Sequence, residues 1–227
     1  MNRNRLLLVI FLTLSFLQVS ARKDNRQIVQ FETNKGNICI ALFDETPQHR
    51  DNFVKLVSQG YYDGTLFHRV IRDFMIQGGD PDSKGAPKGK MLGDGGPEYT
   101  LPAEIRFPDL YHKRGMVAAA RESDDVNPEF RSSGSQFYIV WGRRMNSVEA
   151  KKYRQKWYDE GIEDTHFIID DYQQYGGTPH LDGSYTVFGE VVEGLNVVKE
   201  IQSVSTDRND RPLDDVVVLK AYVLTEK

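Results

Sequence analysis

Residues Phe67 to Asp80, FHRVIRDFMIQGGD, hold the pattern on which the fold rests. Taken with period two, Phe67, Arg69 and Ile71 fall on one face and His68, Val70 and Arg72 on the other, which sets a guanidinium between two large apolar groups. A charge in that place has to snorkel, pair or take part in chemistry, because burying it unpaired is costly. Beyond Asp73 the chain returns to Phe74, Met75 and Ile76, offers the amide of Gln77 and breaks at Gly78 and Gly79. One short segment thus supplies a fixed cation, apolar surface and an amide. An amphipathic strand whose arginine lies along the surface satisfies the same pattern.

Composition narrows what surrounds this stretch. A chain of 227 residues suits one domain with a sizeable core, and 27% charged with 11% aromatic residues reads as soluble and globular. The net charge is −4, and losing Arg3 and Arg5 with a leader removes two positive charges to leave −6, so the basic footprint of a nucleic-acid binder is missing. Cys39 is the only cysteine, which rules out an internal disulfide and reads as a buried free thiol. The histidines at 49, 68, 112, 166 and 180 form no HExxH pair, and no cysteine cluster accompanies them. No metal and no cofactor are expected.

At the N-terminus, Arg3 and Arg5 precede an almost wholly apolar run from Leu6 to Leu17, followed by Val19, Ser20 and Ala21. This predicts a signal peptide over 1–21 and a mature domain over 22–227, exported to the periplasm in a bacterium and otherwise secretory. The apolar run falls short of the ~20 residues that span a bilayer, so no stable membrane span is expected.

Ile28 to Thr33 and Asn37 to Phe43 alternate around a turn at Asn34-Lys35-Gly36 and predict a hairpin. Thr46 as N-cap, Pro47 at the first helical position and Gly60 beyond the end bracket a helix with Phe53, Leu56 and Val57 on its apolar stripe. Seven glycines between Gly78 and Gly96 predict a long wrapping loop without phosphate-loop spacing. Lys84 and Met91 stand where a calcium loop needs oxygen ligands. A strand of small residues follows at Gly115 to Ala120, then a polar loop from Arg121 to Arg131 and the strand GSQFYIV from Gly134 to Val140. The segment 142–178 reads as an inserted helix and loop, with a capping box at Asn146 and Glu149 and one face formed by Ala150, Tyr153 and Trp157. That helix is either a solvated decoration or, through Tyr153 and Trp157, a holder of unfolded clients. A strand from Tyr185 to Val192, a helix from Leu195 to Gln202 and a strand from Val216 to Leu224 complete the chain. Many short strands without βαβ alternation predict a mainly β fold, a closed or nearly closed antiparallel barrel.

Three separated motifs occur in one order: FHRVI with FMIQGGD, then GSQFYI from Gly134 to Ile139, then LDGSYTVFGEVVEG from Leu181 to Gly194. Together they resemble the cyclophilin family of peptidyl-prolyl isomerases, over roughly Ile28 to Val223 and outside most of 142–178. The resemblance implies a closed eight-stranded antiparallel barrel capped by two helices, with the inserted helical segment added. It also implies catalytic roles for Arg69, Phe74 and Gln77, and substrate-binding roles for Met75, Ala120, Arg121, Gln136, Tyr138, His180, Leu181 and Tyr185. Phe74, Met75, Tyr138 and Leu181 would line a proline pocket, Gln77 and Gln136 would bond the substrate backbone, and Ala120 with Arg121 would flank the peptide. Four positions depart from the family: His180 where Trp is frequent, Arg121 where Asn is common, Tyr138 for a frequent Phe and Tyr185 where His is common.

The residue types suit that chemistry. An X-Pro bond rotates slowly because amide resonance must be broken, against a barrier of about 20 kcal/mol. No bond to carbon is made or lost, so the catalyst needs neither nucleophile nor metal, only a site that favours the twisted amide. Twisting gives the imide nitrogen lone-pair character, and Arg69 is a permanently charged, rigidly forked donor. The expected partners are proline-containing unfolded or flexible polypeptides, engaged by a monomer. The alternative is a proline-peptide binding module or chaperone with little turnover. A hydrolase ranks last, since there is no GxSxG and no defensible Cys-His arrangement.

Overall fold

The computed structural model describes residues 26–224, so the leader expected over 1–21 lies outside the described residues. Strands β1 (Ile28–Thr33) and β2 (Gly36–Leu42) form the hairpin, and helix α1 (Pro47–Ser58) follows with Phe53, Leu56 and Val57 buried. Thr46 stands at the N-cap, but its hydroxyl makes no capping bond. The carboxylate of Glu104 does that work instead, accepting from the N–H groups of Gln48 (3.1 Å) and His49 (2.9 Å).

The chain continues through β3 (Arg69–Ile71), β4 (Met75–Gly78), β5 (Thr100–Leu101), β6 (Met116–Ala119), β7 (Ser132–Ser133) and β8 (Phe137–Val140). Helices α2 (Ser147–Asp159) and α3 (His166–Gln174), strand β9 (Val187–Glu193), helix α4 (Leu195–Ile201) and strand β10 (Val218–Leu224) follow. Eight strands make one curled antiparallel sheet in the order β10-β1-β2-β9-β6-β8-β4-β3, and β5 pairs with β7 apart from it.

The expected closure is not met: the sheet is open between β3 and β10. The hydrogen-bonding edge of β10 is taken by β1, from Ile28↔Leu224 to Thr33↔Val218. β3 is three residues long, and the N–H of Val70 on its outer edge donates to the carbonyl of Asp210 (2.8 Å), so a loop occupies the place of a closing ladder. An isolated bridge, Leu66↔Val217, spans the seam. The strict alternation from Phe67 to Arg72 is also corrected. Phe67 and Val70 are both in the main core while Arg69 and Ile71 face outward, because regular pairing starts only at Arg69.

The pleat of the sheet divides two tasks. Inward, Ile76, Val117, Ala119, Phe137 and Ile139 pack with Phe31, Phe53, Tyr62 and Phe188, against which α1 and α4 press their apolar faces. Outward, Met75, Ala118, Tyr138, Val140 and Val187 pack with Leu181. One face holds the fold together and the other is free to build a site. Cys39 is buried, and burial followed by the charge of Glu193 pushes its thiol pKa up.

Where one inserted helix was expected, 142–178 contains two. The capping box of α2 is present: Asn146 accepts from the N–H groups of Val148 and Glu149, and Glu149 accepts from the N–H of Asn146. Trp157 is 1% exposed among Ile168, Ile169 and Tyr172 of α3, with Tyr111 and Met145 beside them. A ring so deeply buried cannot hold clients, which corrects that reading for Trp157. Among the described residues no helix is long and apolar enough to cross a membrane.

Candidate active site

The outward face carries a row of side chains set by strand register. Arg69 pairs with Gln77, Gln77 with Tyr138, and Tyr138 with Ala118, while Ile71 and Met75 occupy a neighbouring row. Adjacent strands lie about 4.8 Å apart, so these groups stand side by side. A cavity of about 170 Å³ opens over them, walled by Arg69, Phe74, Met75, Gln77, Ala120, Arg121, Tyr138, Leu181 and Tyr185. Every one of these residues is among those the sequence singled out. The other two stand next to it: Gln136 lies behind Gln77, and the ring of His180 lies over that of Phe74 with centroids 5.4 Å apart.

A one-way chain of hydrogen bonds fixes the polar side. Arg69 Nη1 donates to Gln77 Oε1 (3.3 Å), Gln77 Nε2 to Gln136 Oε1 (3.0 Å), and Gln136 Nε2 to the carbonyls of Gly93 (2.6 Å) and Gly95 (2.7 Å). Both amide hydrogens of Gln136 are therefore engaged, whereas Gln77 keeps one free. The carbonyls come from the glycine-rich loop, which the buried carboxylate of Asp80 organises by accepting from the N–H groups of Asp82 and Gly93. Gly95 has to be glycine, because a Cβ there would lie 2.1 Å from Asp80 Oδ1. Asp210 completes the set with Oδ2 3.6 Å from Arg69 Nε, both side chains 43% exposed. Nothing in the sequence pointed to Asp210, which reaches β3 only because its loop folds over the sheet edge.

The model of cyclophilin type peptidyl-prolyl cis-trans isomerases matches residues 28–223. The chain belongs to this family. A Staphylococcus epidermidis protein named as a peptidyl-prolyl cis-trans isomerase is 36% identical over 198 residues, which is 86% of this chain and 91% of that protein. A Streptococcus pyogenes protein named as a bifunctional phosphatase and peptidyl-prolyl cis-trans isomerase is 34% identical over 209 residues, and the match spans 90% of this chain but 40% of that longer protein. The crystal structure of a cyclophilin type isomerase from Cryptosporidium parvum superposes with a TM-score of 0.62 at 26% identity, covering 89% of this chain and 99% of that one.

In this cyclophilin the hydroxyl of Tyr138 does not wet the cavity. It turns to Nε2 of buried His112 (3.0 Å), whose Nδ1 lies 2.9 Å from Asp182 Oδ1, and Asp182 also accepts from the His112 N–H and from Tyr172 of α3 (2.7 Å). With Asp182 ionised, Nδ1 carries the ring proton, so Nε2 accepts from Tyr138 and the tyrosine offers its cavity only a ring. Arg121 is locked too. Its side chain is 3% exposed, stacked on Tyr185 and Phe130, and it donates to the carbonyls of Ser184 and Glu122 while pairing with Asp124. It forms wall rather than a free cation. Burial of the His180 ring, then the neighbouring His112, push its pKa down.

Proposed function

We propose that this cyclophilin accelerates rotation about X-Pro bonds in exported polypeptides, with Arg69 stabilising the twisted amide above an apolar proline cavity. The supporting observation is the half-exposed Arg69 guanidinium, held at the rim of the cavity by the chain through Gln77 and Gln136. The pyrrolidine ring packs on Phe74, Met75, Tyr138 and Leu181. Arg69 then donates toward the imide nitrogen as it turns pyramidal, an interaction absent from either planar form. The free amide hydrogen of Gln77 bonds a substrate carbonyl, and Gln136 acts on the substrate through Gln77. Asp210 holds the guanidinium in place from the other side. The cavity lies on the surface of the sheet, so the clients are flexible, proline-containing chains, met by a monomer. Export rests on the apolar run from Leu6 to Leu17 behind two arginines.

Protein purified from a secreting host with its own leader is expected to begin at Arg22 and to speed cis-trans exchange of an Ala-Pro peptide, read by NMR. Arg69→Ala is expected to lower kcat/KM by roughly 10²–10³, the loss typical of a donor made for a transition state. An unchanged rate in a folded Arg69→Ala protein sinks the role of Arg69. A folded parent that binds the peptide without speeding exchange leaves a binding module.

A further inference from the structure

We propose that a second cavity, on the far side of Phe74 from the proline cavity, takes a lysine or arginine side chain of the same client; this rests on the isomerase reading above. The cavity is about 320 Å³ and lies between α2 and the turn joining β3 to β4. Ile71, Phe74, Met145, Tyr153 and His180 give it apolar and aromatic walls suited to an aliphatic stem and, through the ring faces, to a cation.

The charges in its walls do not cancel. Arg143 and Glu149 neutralise each other in a two-point ion pair. Asp73 remains: among the described residues its carboxylate makes no ion pair or hydrogen bond, and only its backbone N–H is engaged, by Gln202. Arg114, the cation that senses its field, is stacked on Trp141 and donates to the carbonyls of Trp141 and Gly142. The hydroxyl of Tyr153 also faces more negative than positive charge: burial raises its pKa first, then Asp182 and Glu149, with Arg143 opposing them.

The second cavity adjoins the first. Phe74 walls both, and the His180 ring lies tilted over Phe74 while Leu181, next along the chain, walls the proline cavity. One extended residue advances about 3.5 Å, so a side chain within two or three residues of the bound proline reaches across the ring. Glu149 and Tyr153 of α2 supply one wall, which gives the inserted segment a task in choosing clients.

The test is a set of Ala-Pro peptides with lysine, norleucine or glutamate at each of three positions on either side. Affinity is read by NMR titration and turnover by exchange, at low and high salt. At one position lysine is expected to bind about fivefold more tightly than norleucine, glutamate more weakly than both, with the lysine advantage shrinking in salt. In Asp73→Asn the lysine-to-norleucine ratio is expected to fall to about one; asparagine tolerates the positive φ of 58° at this position. Equal affinity for all three peptides at every position overturns the subsite without need of a variant, as does a lysine preference that survives in Asp73→Asn. Affinity and turnover separate the two claims. Lysine preference without accelerated exchange keeps the subsite and removes the isomerase, and fast exchange without preference does the reverse.

Discussion

At Tyr138 one hydroxyl decides whether the proline cavity is dry. It is drawn away by His112, which Asp182 orients, and Asp182 is in turn bonded by Tyr172. Tyr138→Phe keeps the ring in the cavity wall and orphans Nε2 of a buried imidazole. We expect urea unfolding to show a loss of about 1–3 kcal/mol while kcat/KM stays within about twofold. A large loss of turnover at unchanged stability would place the hydroxyl in the chemistry. At this scale the site was legible wherever its residues lie in short local motifs: Arg69, Phe74, Met75 and Gln77 sit within one hairpin. Asp210 was not legible, because its placement depends on a distant loop crossing the edge of β3. The saturation of Gln136 was equally hidden, since its acceptors are backbone carbonyls that carry no side-chain signature.

The elements most in need of explanation are α2 and α3. α2 announced itself through its capping box and the spacing of Ala150, Tyr153 and Trp157. α3 is nine residues long, its N-cap Thr165 makes no side-chain bond, and its inner face of Ile168, Ile169 and Tyr172 is too brief to stand out. What stabilises the pair is the small core around Trp157, separate from the main one. Trp157→Ala is expected to cost about 3–5 kcal/mol of local stability, the range for a large buried ring. Hydrogen exchange should quicken across 147–174 and stay slow in β1 and β2. Because Tyr172 bonds Asp182, the residue after Leu181 of the cavity wall, turnover on proline peptides should fall as well. Exchange that quickens uniformly across the molecule would show that the two cores unfold as one.

For the molecule as a whole, buried histidines set its tolerance of acid. Burial lowers the pKa of His49 and of His68. Unfolded histidine titrates near 6.5, so as pH falls the unfolded chain takes up these protons first. Their contribution is complete above about pH 6.5 and is lost from there down to the lower folded values. Burial pushes Glu104 up, but the hydrogen bonds from His49 and from the N–H groups of His49 and Gln48 outweigh it and hold the carboxyl below its usual value. Its contribution is lost at lower pH, as it falls below the ordinary carboxylate range near 4.3. Urea midpoints are expected to be flat from about pH 8 to 7 and to fall between about 6.5 and 5. A flat profile to pH 5 would mean that neither histidine gains a proton on unfolding. The curled sheet itself was legible from its short strands and ordered motifs, but its closure was not, since that turned on a loop carbonyl rather than on any strand pattern. The open seam leaves β3, the strand that bears Arg69, laddered along one edge only. A sealed cylinder would hold that strand by ladders along both edges. Here it forms the lip of a split tube, tied on its outer side by the Asp210 loop, so a change in that loop reaches the guanidinium directly.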